Sequence, residues 1–164
     1  MKRLSILLLA LLLVPAACGR ASTAPSGHPE GHVLYFQPAS YTAGAALVPQ
    51  GVELSPDIPE AEALITALLS GPTEKGLLSP FPKGVTLHSW AMQEDILHVN
   101  LSEEYGSLPG MDLTLADYAI ALTLCQLDGV EGVTITVEND PIPFRYRQIL
   151  QPRDILLTDL PEAS

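Results

Sequence analysis

The chain has few positive charges, and this shortage argues against two kinds of partner. Its 164 residues include 8 Lys and Arg against 19 Asp and Glu, which gives a formal net charge of −11. Nucleic-acid binding relies on clustered Lys and Arg, so the balance argues against a nucleic-acid partner. It also argues against adhesion to anionic lipid heads by charge alone. Any attachment to a membrane must therefore depend on something other than the charge of the protein.

Cysteines are also scarce, because Cys18 and Cys125 are the only two. If Cys18 is modified, Cys125 has no partner in the chain. Cys125 falls within a predicted helix, on its apolar face, where a thiolate lacks the positive surroundings that it needs. We therefore interpret Cys125 as a small buried residue and not as a nucleophile.

Long hydrophobic runs are absent after the first residues of the chain. Lys2 and Arg3 precede an apolar run of eleven residues, 4–14, which Pro15 ends. Such a run is too short to span a bilayer of about 30 Å as a helix but fits the central region of a secretory signal. Without Lys2 and Arg3, six basic residues face the 19 acidic ones.

The residues that follow this run resemble a bacterial lipobox, in which a cysteine is diacylated and becomes the new N-terminus. Ala16 and Ala17 are small and stand directly before Cys18. We therefore predict a lipoprotein signal peptide over residues 1–17, lipidation of Cys18 and an anchor on the outer face of the cell membrane. Pro15 departs from the aliphatic residue usual at its position. Ordinary cleavage after Ala17, which would give a secreted protein, stays open as the alternative.

Composition then divides the rest of the chain into three parts. Residues 18–31 are rich in Gly, Ser, Pro and Ala and lack apolar periodicity, which predicts a flexible tether. Residues 32–151 form the predicted folded domain, which is large enough to need no disulfide. Residues 152–164 are a tail with weak structural signals.

Periodicity within the folded part predicts an α/β domain of the α+β type. Strands are predicted at 33–36, 85–92, 96–101, 133–137 and around 144–150, with a further extended piece at 45–54. One helix follows Pro59 and ends at Gly71, and a second begins where Thr114 and Asp117 have the spacing of a capping box. The strand-helix-strand-strand-helix-strand order predicts a small mixed sheet with both helices on one face.

Patterns that would indicate an enzyme or a metal site are incomplete. No serine lies in a Gly-x-Ser-x-Gly elbow. His88 and His98 lie on two strands of a predicted hairpin with Asp95 nearby, but their spacing is no recognised ligand pattern. His28 and His32 fall in or beside the tether. We therefore predict no catalytic residue, no metal ligand and no cofactor.

Two further features could serve a ligand. Glu103, Glu104 and Asp112 surround a Gly-Pro loop, where a solvated acidic surface is more common than a pair of catalytic carboxylates. The segment "LLSGPTEKGLLSPFPKG", residues 68–84, has its glycines at the wrong spacing for a phosphate loop. We interpret it as a stiff connection that ends one helix and directs the next strand, with Lys75 and Lys83 in solvent.

Several blocks, taken in order, resemble the GerMN domain of sporulation and spore-germination proteins. They span about residues 34–139 and lie at Leu68–Leu69–Gly71–Pro72, Pro82–Lys83–Gly84, Asn100–Leu101–Ser102, Thr123–Leu124 and Gly129–Val130–Val133. The family's pattern often has Asp where this chain has Asn100. The resemblance implies an extracytoplasmic module, often on a lipoprotein, with no known catalytic residues.

The combined hypothesis is a non-enzymatic lipoprotein that acts through protein–protein contacts in envelope assembly, in sporulation or germination. Its predicted partners are the membrane, through its acyl chains, and other envelope proteins. The alternative is a ligand-binding module or weak hydrolase acting on peptidoglycan or its fragments. A polar cleft uniting Glu103, Glu104, His88 and His98 would favour the alternative.

Overall fold

The computed structural model describes residues 31–40, 45–143, 145 and 147–155. These residues form an α/β domain, which confirms the predicted fold class. The predicted signal peptide, Cys18, His28 and nearly all of the tether lie outside the described residues, as does the end of the tail. Within the described residues, no helix is both long enough and apolar enough to span a bilayer.

The first sheet has three strands and contains the N-terminal part of the fold. Strand β1 (His32–Pro38) lies in the middle, between β2 (Val48–Val52) and β3 (Leu77–Leu78). Both neighbours run antiparallel to β1. Leu34 and Phe36 point into the core and are almost completely buried.

The second sheet is mixed, as predicted. It contains β4 (Leu87–Gln93), β5 (Ile96–Leu101), β6 (Gly132–Val137), β7 (Asp140–Pro141) and β8 (Ile149–Leu150). Strands β4 and β5 form an antiparallel hairpin, β5 and β6 are parallel, and β7 and β8 both pair antiparallel with β6. The strand predicted around 144–150 is thus only two residues long in the described part.

Helix α1 (Glu60–Ser70) follows Pro59 as predicted. Leu64, Ile65 and Leu68 on one face are buried. Gly71 ends the helix with φ of 89°, a conformation that favours glycine, and its N–H donates to the carbonyl of Leu68.

The second main helix begins earlier than the sequence predicts. After the short helix α2 (Glu103–Gly106), helix α3 runs over Gly110–Leu124. The Thr114 hydroxyl donates to the Gly110 carbonyl one turn back, so Thr114 is inside the helix and the predicted capping box is wrong. Asp117 was assigned to that box, and it is instead a buried residue in the second turn.

The prediction of one sheet with both helices on one face needs a correction, because α1 and α3 contact strands of both sheets. The physical reason lies at β1. The N–H groups of Val33 and Tyr35 donate to the side chains of Gln126 and Thr123 at the end of α3. Side chains of the helix region thus take the place of a neighbouring strand, and β1 needs no ladder with the second sheet.

Candidate functional site

A cavity of about 750 Å³ opens beside the first turns of α3 and is the candidate site. We call it the α3 cavity. The end of the β6–β7 hairpin and the segment after it form its other side. Its lining residues are Gly106, Leu108, Gly110, Leu113, Thr114, Asp117, Val137, Asp140, Pro141, Ile142, Pro143 and Arg145. Its volume lies in the usual range for sites that bind small ligands.

A buried ion pair forms one wall of the α3 cavity. Arg145 Nη2 donates to Asp117 Oδ1 over 2.7 Å, and the two side chains are 5% and 6% exposed. The Tyr105 hydroxyl donates to the same Asp117 oxygen over 2.7 Å. Arg145 Nη1 also donates to the Ile135 carbonyl on β6. These bonds join α2, α3, β6 and the segment after β7.

Burial controls the titration of this network. It raises the pKa of Asp117, against the opposing effects of Arg145 and Tyr105. It also raises the pKa of Tyr105 well above its usual range, and the negative charge of Asp117 adds to that effect. Arg145 Nε is buried without a hydrogen-bond partner among the described residues. The network is thus suited to holding a wall in place, since its Asp and Arg already neutralise each other.

In the strand end Asn100–Leu101–Ser102, the side chain of Asn100 holds the β6–β7 turn through hydrogen bonds. Asn100 Oδ1 accepts hydrogen bonds from the Asn139 N–H over 2.8 Å and from the Thr136 hydroxyl over 3.1 Å. Its Nδ2 donates to Asn139 Oδ1. Glu138 and Asn139 have φ of 52° and 70° in the β6–β7 turn, so this amide holds a turn of unusual backbone.

The side chains of Ser102 and Gln50 likewise accept backbone hydrogen bonds from two other connecting segments. The Thr86 N–H donates to Ser102 Oγ, and the Ser102 N–H donates to the Thr86 carbonyl. Gln50 is 3% exposed, and its Oε1 accepts from the N–H groups of Thr73 and Glu74. The segment 68–84 is therefore anchored to the first sheet, which supports its interpretation as a structural connection.

The structure separates the two histidines of the predicted hairpin. His98 lies opposite Ala91 in the β4–β5 register, and its Nδ1 is 2.6 Å from the Thr134 hydroxyl. His88 lies at a register shift, with Nδ1 3.6 Å from Glu138 Oε2. No group of three or more His, Cys, Asp or Glu in the described part of the chain is arranged to hold a metal ion.

The acidic loop is brought partly together, but the surroundings of Glu104 do not favour its use as a general acid. Glu138 accepts from the N–H of Glu103 and lies beside His88, while His98 is on the sheet surface next to Thr134. The neighbouring Ser102 hydroxyl, then the backbone and finally His88 lower the pKa of Glu104. A general acid in glycoside hydrolysis needs a raised pKa.

The two remaining candidates have ordinary surroundings. Cys125 directly follows the last residue of α3 and is only half-buried, so the predictions that it lies within the helix and is buried both need correction. Burial raises its pKa to about 11, which fits an unreactive thiol. His32 Nε2 is 2.7 Å from Glu60 Oε1, a contact that ties β1 to the start of α1.

Sequence reasoning missed Arg145 and misplaced Asp117. Asp117 resembles a capping residue by spacing alone, and only the true start of α3 shows that it faces the core. Arg145 carries a signal that could have been used. It stands in "PIPFRYRQIL", an apolar stretch of a chain that has only 8 Lys and Arg. A basic residue in such a stretch often pairs with a buried carboxylate.

The fold and the site together define a small α/β module, in which two sheets and two main helices share one core and a surface cavity lies beside the second helix. The family model "Germane: Sporulation and spore germination" matches residues 33–143. The chain therefore belongs to this family, which confirms the resemblance to GerMN domains.

Solved structures agree at the level of the fold. The tandem GerMN domains of the sporulation protein GerM from Bacillus subtilis match with a TM-score of 0.62 and 18% identity, over 76% of this chain and 46% of that one. The first GerMN domain of the same protein matches with a TM-score of 0.59 and 15% identity, over 75% and 98%.

A third similar structure comes from a different organism. A candidate lipoprotein from Clostridium perfringens matches with a TM-score of 0.50 and 26% identity, over 75% of this chain and 87% of that one. Among curated proteins, no relative matches the chain at a significant level.

Proposed function

We propose that this protein is a non-enzymatic, lipid-anchored GerMN module that acts on the outer face of the cell membrane. It works through contacts with other envelope proteins during sporulation or spore germination. The observation that carries the proposal is the family match over residues 33–143 in a chain that also contains a lipobox-like sequence ending at Cys18. The similarity to a candidate lipoprotein supports the anchor.

The described part of the domain gives the proposal its second support. His88 and Glu103 meet around Glu138 on the surface, but His98 lies with Thr134. The lowered pKa of Glu104 works against its use as an acid. A docking role therefore accounts for the domain better than hydrolysis of peptidoglycan, the alternative derived from the sequence.

Metabolic labelling with a fatty acid in a bacterial host tests the anchor. We expect the full chain to take up label and to remain with the membrane fraction. The Cys18→Ala variant loses the label, and Cys125→Ala, a matched control, keeps it. Unlabelled wild-type protein with its new N-terminus directly after Ala17 would contradict the anchor and show simple secretion.

Deletion of the gene in its own host tests the role. We expect a defect in spore formation or germination that the wild-type chain restores and Cys18→Ala restores poorly. The purified full chain should release no fragments from peptidoglycan above a buffer control. Release that heat denaturation of the protein abolishes would overturn the non-enzymatic role.

A further inference from the structure

We propose that the α3 cavity is a docking site for a partner segment with an apolar anchor side chain flanked by Lys or Arg. This inference rests on the proposed function, because it assigns a surface and a partner chemistry to those protein–protein contacts. It concerns a protein segment, whose apolar side chain enters the cavity while its basic neighbours meet the rim.

The walls of the α3 cavity suit an apolar anchor. Leu108, Leu113 and Val137 are only half-buried, so each leaves apolar surface that an incoming side chain can cover.

The charge at the α3 cavity selects the residues that flank the anchor. Asp117 and Arg145 neutralise each other in the wall, so among the described lining residues the exposed Asp140 is the one charge without a partner of opposite sign. In a chain of net charge −11, this rim attracts a basic segment and repels an acidic one.

The wall is also held in place before any partner arrives. The hydrogen bonds from Tyr105 and Arg145 to Asp117 connect the elements around the cavity. A site that is already organised loses little conformational freedom on binding.

Binding of labelled synthetic peptides to the purified full chain tests the proposal. The probe is the five-residue peptide Lys-Lys-Phe-Lys-Lys, and fluorescence anisotropy follows its binding. Two control peptides replace the Phe by Ala or every Lys by Glu. We expect each control peptide to bind at least about tenfold more weakly than the probe, since each lacks one of the two recognised features.

Two variants with matched controls locate the binding. Leu108→Trp fills the α3 cavity and should weaken probe binding at least about tenfold, whereas Leu78→Trp, at an exposed position on β3, should not. Asp140→Lys reverses the rim charge and should weaken binding about threefold or more, unlike Asp128→Lys at another exposed site. Circular dichroism verifies that each variant is folded, and the exposed Asp140 keeps the test valid if Leu108→Trp misfolds.

Equal binding of the probe and its Ala-containing control, or of Leu108→Trp and Leu78→Trp, would overturn the docking site. The test in the host separates this proposal from the wider one. If acylated Leu108→Trp restores the deletion strain fully, the cavity assignment fails and the envelope role stands. If the chain is not acylated, the proposed function fails, and the peptide measurements still decide the role of the cavity.

Discussion

At the scale of single residues, Gly132 has the least room of the described glycines. A Cβ atom added there would lie 2.9 Å from Ile149 Cγ2 and 3.0 Å from Ile96 Cδ1. These contacts pack the start of β6 against β5 and β8. A side chain at this position would therefore force the side chains of Ile96 and Ile149 to shift. The backbone itself does not call for glycine, because its φ is not in the left-handed region.

We predict that Gly132→Val lowers the free energy of unfolding by roughly 1–3 kcal/mol, because the larger side chain overpacks this contact. Urea denaturation measures the change. Gly51→Val on β2 is the control, since a Cβ at Gly51 meets nothing within 4 Å and valine suits a strand. Equal stability of the two variants would contradict the packing argument.

The ion pair in the wall of the α3 cavity gives a second prediction. Asp117→Ala should cost roughly 3–5 kcal/mol of stability, because it leaves the guanidinium of Arg145 buried without its partner. The double variant Asp117→Leu with Arg145→Met should be more stable than Asp117→Ala, since it removes both charges. A lower Tm for the double variant than for Asp117→Ala would contradict the argument that the unpaired charge of Arg145 destabilises the single variant.

Cys125 gives a prediction about reactivity. With a pKa of about 11, its thiolate fraction at pH 8 is roughly a hundredfold below that of an ordinary cysteine. In the Cys18→Ala variant, Cys125 is the sole thiol and should react with Ellman's reagent at least about tenfold more slowly in the native protein than in urea, since the greater nucleophilicity of a thiolate of high pKa offsets part of the loss. Equal rates would show that burial does not control this thiol.

At the scale of elements, Asn100 connects β5 to the β6–β7 turn. We predict that Asn100→Leu lowers stability by roughly 1–3 kcal/mol, because the Asn139 N–H and the Thr136 hydroxyl lose their acceptor. Asn100→Asp keeps that acceptor and should be tolerated once the Asn139 amide rotates to donate. Hydrogen exchange at the backbone N–H of Asn139 should accelerate in Asn100→Leu and stay slow in Asn100→Asp.

The elements that sequence patterns predicted correctly carry local signals. Strand β5 alternates polar and apolar residues from His98 to Leu101. Helix α1 has Pro59 before it and Gly71 after it, so its ends are encoded by neighbouring residues. The start of α3 was missed because Pro109 and Gly110 suggest a loop, whereas the Pro109 carbonyl accepts the N–H groups of Asp112 and Leu113.

Long-range features could not be predicted in this way. The division into two sheets depends on contacts between β1 and the end of α3, which are about 90 residues apart in the chain. The α3 cavity likewise depends on how the segment after β7 returns to α3. Its key pair, Asp117 and Arg145, is 28 residues apart and has no spacing rule that would indicate a contact.

At the scale of the whole molecule, the surplus of acidic residues should weaken the folded state. In a chain of net charge −11, the acidic side chains repel one another more strongly in the compact state than in the unfolded chain. We predict that raising NaCl from roughly 0.02 M to 0.5 M increases Tm by a few degrees, because salt screens this repulsion. KCl should act in the same way, and a Tm that falls with both salts would contradict the prediction.

The hydrogen bonds that β1 makes to Thr123 and Gln126 have a consequence for the order of folding. Val33 leaves the ribosome or the translocation channel long before Gln126, 93 residues later, and until then its backbone has only part of its final partners. Contacts of such long sequence separation slow folding, because the intervening chain must be closed into a loop first. The N-terminal strand should therefore be among the last to become protected during synthesis, and a chain that stops before Gln126 should lack a stable first sheet.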